Sequence, residues 1–185
     1  RVGVYGGEGL QWKSWRGLEE ALEDAIRVGE VTGADQVREE LRRRKTDLSM
    51  GVMAAQMALY SAWERAALDE MHALWLRSDE VSCSHLASGW HFGHAEVVES
   101  WGAVMDLYGG PVQVQASHVR VVVVSETTAV VTCEEVVELG DGAYSIAQMA
   151  ALASNVFVLQ NGSWKLCHRH SSPLALPNPP PPLTF

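Results

Sequence analysis

The sequence predicts an α+β fold in which helices come first and pack on the concave face of a long, curved antiparallel sheet. Three observations carry this. Apolar residues recur at helical spacing as far as residue 108, and four strand-like runs joined by short turns follow. The third is Asn161-Gly162, set between two apolar alternations. Both residues tolerate positive φ, so the pair is the strongest short hairpin signal in the chain.

The elements follow in order. Residues 1–16 are Gly-rich with two tryptophans, Trp12 and Trp15, and read as an extended arm with an aromatic anchor. Helical spacing starts near Leu18, with Leu18, Leu22, Ala25 and Ile26 on one face. Gly29 to Gly33 interrupts it, and a second helix places Ala34, Val37 and Leu41 inward. Glu39/Arg43 and Glu40/Arg44 sit at i,i+4 and support its solvent face. Residues 17–47 therefore predict a helical hairpin, with Arg42-Arg43-Arg44-Lys45 as its solvated, basic C-terminal end.

The main domain is expected over 51–173. Val52, Gln56, Leu59, Tyr60 and Trp63 share a helical stripe, and Leu68, Met71, Leu74 and Trp75 a second. Val81-Ser-Cys-Ser-His85 reads as a short strand, and Trp90-His91-Phe92 as a loop. Gly93 turns into a helix with Val97, Val98, Trp101, Met105 and Tyr108 inward, which Gly109-Gly110-Pro111 stops. Strands are predicted near 112–124, 128–138, 143–159 and 163–171, with turns at Ser125-Glu126, Gly140-Asp141-Gly142 and Asn161-Gly162. Short turns between sequential strands make an antiparallel meander. The Pro-rich end, residues 174–185, fits neither helix nor central strand and is expected as an extended arm ending in Phe185.

Composition excludes some functions. Nearly all of the formal net charge of −9 falls in residues 51–185, so that part repels phosphate backbones and is not expected to bind nucleic acid. No apolar run has the roughly 18–20 residues of a transmembrane helix. Cys83, Cys133 and Cys167 are widely spaced and odd in number, which predicts reduced thiols. The chain opens on Arg1 rather than Met, from which removal of an organelle transit peptide is expected.

Candidate chemistry centres on the last strand. Strict alternation puts Trp164, Leu166, His168 and His170 on one face and Lys165, Cys167 and Arg169 on the other. His168 and His170, approached by His85, would make an acid–base site, since imidazole titrates near neutral pH. Glu135, if inward, would pair with one of them and raise its pKa. His-x-His also suits a metal, but His85, His91, His94 and Glu135 are not spaced to complete a site, so no metal or other cofactor is predicted.

The hairpin resembles the UVR motif on Ala25-Ile26, Gly29-Glu30-Val31, Ala34 and Val37-Arg38-Glu39-Glu40-Leu41, in degenerate form. The resemblance implies protein–protein contact. Residues 51–173 resemble the nuclear transport factor 2-like superfamily, in its SnoaL-like branch. The ordered signs include Ala-Leu-Tyr-Ser-Ala-Trp63, Gly93-His-Ala-Glu-Val-Val-Glu-Ser-Trp101, Ala129-Val-Val-Thr-Cys-Glu134, Gly162-Ser-Trp164 and His168-Arg-His-Ser-Ser-Pro173.

The resemblance implies a cone: a strongly curved sheet wrapping about three helices, with an apolar pocket at the open end. Tyr60, Trp63, Trp75, Trp101, Cys133 and Asn155 are its candidate lining, although the tryptophans also sit on core stripes. The isomerase branch keeps a carboxylate on the short strand that here reads Val81-Ser-Cys-Ser-His85, so that mechanism is not expected. Trp12, Trp15, Trp90, Phe92 and Phe185 are the candidate partner contacts. The resulting expectation is a non-catalytic interaction subunit of a larger, organellar (chloroplast) assembly. The alternatives are a SnoaL-like isomerase, cyclase or dehydratase acting on a small apolar ligand through the pocket histidines, and a homodimer formed through the outer sheet face.

Overall fold

The structure, a computed structural model, describes residues 13–86, 88–108, 112–139 and 147–174. Trp12 and the rest of the arm, Gly109-Gly110-Pro111, Gly140-Asp141-Gly142 and the tail to Phe185 lie outside the described residues. The chain divides into two compact units, Arg1–Gly51 and Val52–Phe185.

In the first unit, α1 (Trp15–Arg27) starts at Ser14, whose hydroxyl accepts the Gly17 amide at 3.1 Å as an N-cap. The chain turns at Gly29, φ +74°, a conformation that disfavours residues with a Cβ. It then enters α2 (Val31–Glu64). Leu18 and Ala21 bury against Val37, with Leu22 and Leu41 packed alongside.

Three expectations need correction here. Ile26 is 56% exposed, because the inward stripe runs Trp15, Leu18, Ala21, Ala25. Trp15 is no partner platform: it starts α1, is buried, donates from Nε1 to Glu19 Oε1 at 2.7 Å and carries Lys45 Nζ over its ring at 5.0 Å. The basic run is not a helix end, since α2 continues to Glu64. Arg43 is held there by Glu40 and Asp47, and Arg44 by Glu40. The hydrogen bond from Arg43 lowers the Glu40 pKa to about 2.

In the second unit, the Val52–Glu64 part of α2 is followed by α3 (Leu68–Leu74), β1 (Ser82–Ser84), β2 (Trp90–Phe92) and α4 (His94–Tyr108). Then come β3 (Val112–Ser125), β4 (Thr128–Leu139), β5 (Ala147–Gln160) and β6 (Ser163–Pro173). The architecture is α+β, with one curved, unclosed six-stranded sheet in the order β2-β1-β6-β5-β4-β3. Strands β3 to β6 form the predicted antiparallel meander. Asn161 and Gly162 both take positive φ at its last turn, +51° and +76°. Two features were not predicted. β1 runs parallel to β6, and Trp90–Phe92 is not a loop but an edge strand paired with β1.

One face of the sheet and three helical segments share a core. Val52, Leu59 and Trp63 of α2, Met71 of α3, and Val97 and Trp101 of α4 bury against Ala129, Val131, Phe157 and Leu166. Trp75 is 1% exposed and bridges to Leu166, so it belongs to this core.

One irregularity decides which side chains reach that core. Phe157 pairs with Leu166, but Val156 pairs with His168, so Cys167 is an extra residue in β6. A bulge of this kind shifts the alternation by one, and a one-residue shift sends every following side chain to the opposite face. Leu166 points inward before the bulge, and Arg169 and Ser171 point inward after it. His168 and His170 are turned outward. The face predicted from strict alternation is therefore wrong beyond Cys167.

Candidate functional site

The inward face of the sheet carries a buried charged pair. On β4, Ala129, Val131, Cys133, Glu135 and Val137 alternate inward. On β5, Ala151, Ala153, Asn155 and Phe157 do the same. Glu135 and Arg169 lie two strands apart, Glu135 opposite Ala151 and Arg169 opposite Asn155 of β5. The long Arg169 side chain reaches across β5 and places Nη2 at 2.6 Å and Nη1 at 3.0 Å from the two Glu135 carboxylate oxygens. Arg169 is 2% exposed and Glu135 1%. A buried pair is tolerated only when further hydrogen bonds satisfy it. Here Tyr60 Oη donates to Glu135 at 2.8 Å, and Arg169 also donates to Asn155 Oδ1 and Ser171 Oγ, both at 3.0 Å. Asn155 in turn donates to Gln56 Oε1 at 2.9 Å.

The electrostatics follow from this arrangement. Burial pushes the Glu135 carboxyl up, but the charge and hydrogen bonds of Arg169 outweigh it and hold its pKa below the ordinary value. Burial and the Glu135 charge push the Tyr60 hydroxyl well up, and burial raises the Cys133 thiol. The pair is ionised, and its neighbours are neutral.

Beside it lies a cavity of about 350 Å³. Trp63, Val104, Leu107, Val137, Met149 and Ala151 supply most of its wall, and His85, Ser88, Tyr108, Glu135, Arg169 and Ser171 its polar groups. His85 is buried just after β1. Ser100 Oγ gives its proton to the Val97 carbonyl at 2.7 Å, so it accepts at 2.9 Å from His85 Nε2. That fixes the Nε2–H tautomer and leaves Nδ1 as the acceptor. Burial, then the Arg169 and His91 charges, lower the His85 pKa to about 3, so the ring is neutral at ordinary pH.

The predicted site residues are distributed differently from expectation. Trp63, His85 and Glu135 line the cavity. Tyr60, Cys133 and Asn155 form the polar network around the ion pair. Trp101 stands edge-on to His85, centroids 4.6 Å apart. Glu135 pairs with Arg169 and not with a histidine. His168 and His170 sit on the opposite face of the sheet, where His168 Nδ1 meets Ser82 Oγ at 2.8 Å and both rings contact Trp90. Trp90 and Phe92 are stacked there, 48% and 61% exposed. Arg169 is the functional residue that sequence reasoning missed. Among the described residues no group of three or more His, Cys, Asp or Glu side chains is placed to hold a metal ion. No helix among them is long and apolar enough to cross a membrane.

Residues 52–177 match the family model described as SnoaL-like domain. The F-box protein SKIP8 of Arabidopsis thaliana is 33% identical over 106 residues, 57% of this chain. The match spans only 42% of that relative's length. Among solved structures, a candidate dehydratase of the nuclear transport factor 2-like family from Streptomyces avermitilis superposes with a TM-score of 0.63 at 30% identity, covering 71% of this chain and 99% of the other. A candidate calcium/calmodulin-dependent protein kinase type II association domain from Thiobacillus denitrificans gives 0.57 at 31%, covering 66% and 94%. A candidate scytalone dehydratase from Novosphingobium aromaticivorans, at 12% identity, shares the fold, with a TM-score of 0.62 over 72% of this chain and 89% of the other.

Proposed function

We propose that this chain, which belongs to the SnoaL-like domain family, holds a small, largely apolar molecule in the cavity beside Arg169 and Glu135 without transforming it. One observation carries the reading: a mostly carbon-walled cavity ends on an ion pair whose carboxylate and guanidinium Nη groups are already hydrogen-bonded within the protein. Apolar walls with a few fixed polar groups are the common form of a small-molecule site.

Turnover is disfavoured by the state of those polar groups. An acid–base catalyst works best with a pKa near the operating pH. His85, at about 3, is a neutral and weakly basic imidazole, and Glu135 is an ionised carboxylate engaged by Arg169 and Tyr60. The test is to denature the purified protein, identify released small molecules by mass spectrometry, and return each to wild type and to Ala151→Leu, which fills part of the cavity. A ligand that stabilises wild type, fails on the variant and is recovered unchanged supports the reading. Chemical conversion of the ligand, or no released molecule and no stabilisation by any apolar compound, contradicts it.

A second reading, a protein-interaction subunit of a larger assembly, is favoured by the exposed Trp90–Phe92 stack on the edge strand. That the chain matches less than half of a longer F-box protein supports it as a module. Under this reading the natively purified protein elutes with stoichiometric partners and loses them on Trp90→Ala/Phe92→Ala substitution. Elution alone contradicts it.

A further inference from the structure

We propose that the proline-rich segment Pro177–Pro182, which follows β6 in the sequence, folds back over the outer face of the sheet and docks on the Trp90–Phe92 stack of its own chain. The surface is defined by the structure. Trp90 and Phe92 stack with centroids 6.2 Å apart on the edge strand, and both are exposed. Behind them Trp90 stacks on His168 at 5.7 Å and meets His170 edge-on at 5.5 Å, and Ser82 holds His168 through Nδ1. The result is an aromatic surface fixed from below and flanked by donors, the indole N–H of Trp90 and the imidazole of His170. Contiguous exposed apolar surface of this kind marks a contact site.

The chemistry of the segment matches that surface. Five of the six residues Pro177-Asn-Pro-Pro-Pro-Pro182 are proline, and residues 175–185 contain no Lys, Arg, Asp or Glu. Proline rings fix φ and favour polyproline II, whose backbone carbonyls make no internal hydrogen bonds and stay free to accept. Such segments dock on aromatic-lined surfaces at a low entropic cost. Proline lacks the N–H that strand addition at the open edge of β2 requires, so ring contact is the available mode. With no charge in the segment, docking desolvates none.

Reach decides whether the segment of the same chain can arrive. Beyond the bulge, alternation turns His168, His170, Ser172 and Leu174 to the outer face, so the chain leaves the sheet on the side of the stack. Leu174 lies four residues past His170, about 13 Å along the strand. Trp90 lies two strands across from His170, about 10 Å. The gap from Leu174 is therefore about 16 Å to Trp90 and about 22 Å to Phe92. If Ala175 and Leu176 reverse the chain, residues 177–185 span about 28 Å as polyproline II. A 16 Å gap is then crossed about five residues in, within the Pro179–Pro182 run. A partner protein that uses the stack has to displace this segment.

The experiment adds a synthetic peptide of residues 175–185 to two full-length proteins, wild type and the variant Pro179→Gly/Pro180→Gly/Pro181→Gly/Pro182→Gly. Binding is read from the Trp90 indole ¹H–¹⁵N signal, assigned with Trp90→Phe, and near-ultraviolet circular dichroism checks the fold. A short tether holds its own segment at an effective concentration of about 1 mM, so a peptide that binds the glycine variant at about 0.1 mM is expected to bind wild type about tenfold more weakly. In a mixture of labelled and unlabelled wild type, nuclear Overhauser contacts between proline ring protons and Trp90 are expected within one chain. Equal peptide affinity for the two proteins overturns the proposal, because the stack is then open in the native chain. No binding to either protein, or shifts at Trp63 in place of Trp90, also overturns it. Contacts found only between copies assign the stack to the segment of a second copy and overturn it as well.

Discussion

Replacing Glu135 by Gln tests the ion pair that organises the core. The substitution keeps the shape and an oxygen to accept from Tyr60, but removes the charge facing Arg169. Both partners are at least 98% buried, with 2.6 and 3.0 Å contacts. Removing one member of such a pair costs about 3–5 kcal/mol, because the other charge stays buried. Asn155 and Ser171 still accept from Arg169, which places the expected loss near the lower end, about 3 kcal/mol. Arg169→Met exposes the converse. Without Arg169, burial raises the Glu135 pKa above its unfolded value. The stability of that variant is then fully present below the unfolded carboxyl pKa of about 4.3 and is lost as pH rises through the raised folded value. Wild type has the opposite sign, since its Glu135 pKa is lowered. The double variant Glu135→Met/Arg169→Met is expected within about 1–2 kcal/mol of wild type. The assay is urea unfolding followed by near-ultraviolet circular dichroism of the buried tryptophans. Additive single-variant losses, or an Glu135→Gln loss under about 0.5 kcal/mol, would refute the reasoning.

Other predictions follow from the same geometry. The folded pKa of His85 is lowered to about 3, so the unfolded chain binds the extra proton and stability falls as pH drops below about 6.5. Between pH 7 and 4.5 this accounts for about 2–3 kcal/mol, and His85→Gln should reduce the acid loss by that amount in urea titrations at the two pH values. His168→Gln and His170→Gln should leave ligand affinity within about twofold, since both rings lie on the far face of the sheet, contacting Trp90. A tenfold loss would place them in the cavity after all. The Cys83 thiol is fully buried and pushed up to about 12, so iodoacetamide at pH 8 should modify it only as fast as the protein unfolds. Rapid native alkylation at that position, mapped by peptide mass spectrometry, would contradict the packing.

Much of the fold was legible because its signals are local. Asn161-Gly162 encodes its own turn, and the Val52–Trp63 stripe encodes its buried face. An inward Glu135 was among the expectations, and the alternation of β4 bears it out. The site was less legible, because it depends on one bulged residue. Cys167 has no feature that marks a bulge, yet it transfers Arg169 and Ser171 to the core face and removes His168 and His170 from it. The available clue was chemical. An inward Glu135 needs a cation, and Arg169 has the reach that imidazoles on the same strand lack. The first helical unit shows a different failure. The basic run Arg42–Lys45 was expected to end the second helix, but the sequence from Arg42 to Glu64 has no proline and many good helix formers, and α2 runs through. The edge strand Trp90–Phe92 is three residues long, too short for alternation to reveal.

The most direct test of the account is a ¹H–¹⁵N titration of the full chain with the small apolar molecule that it releases on denaturation, following arginine Nε–H and tryptophan indole signals. Trp63→Phe, Trp90→Phe and Arg169→Lys assign the three resonances that matter. The account predicts saturable shifts of the Trp63 and Arg169 signals, with Trp90 unmoved on the opposite face. Shifts at Trp90 alone, or none at Trp63 and Arg169, would show that the cavity beside the Arg169–Glu135 pair is not a binding site.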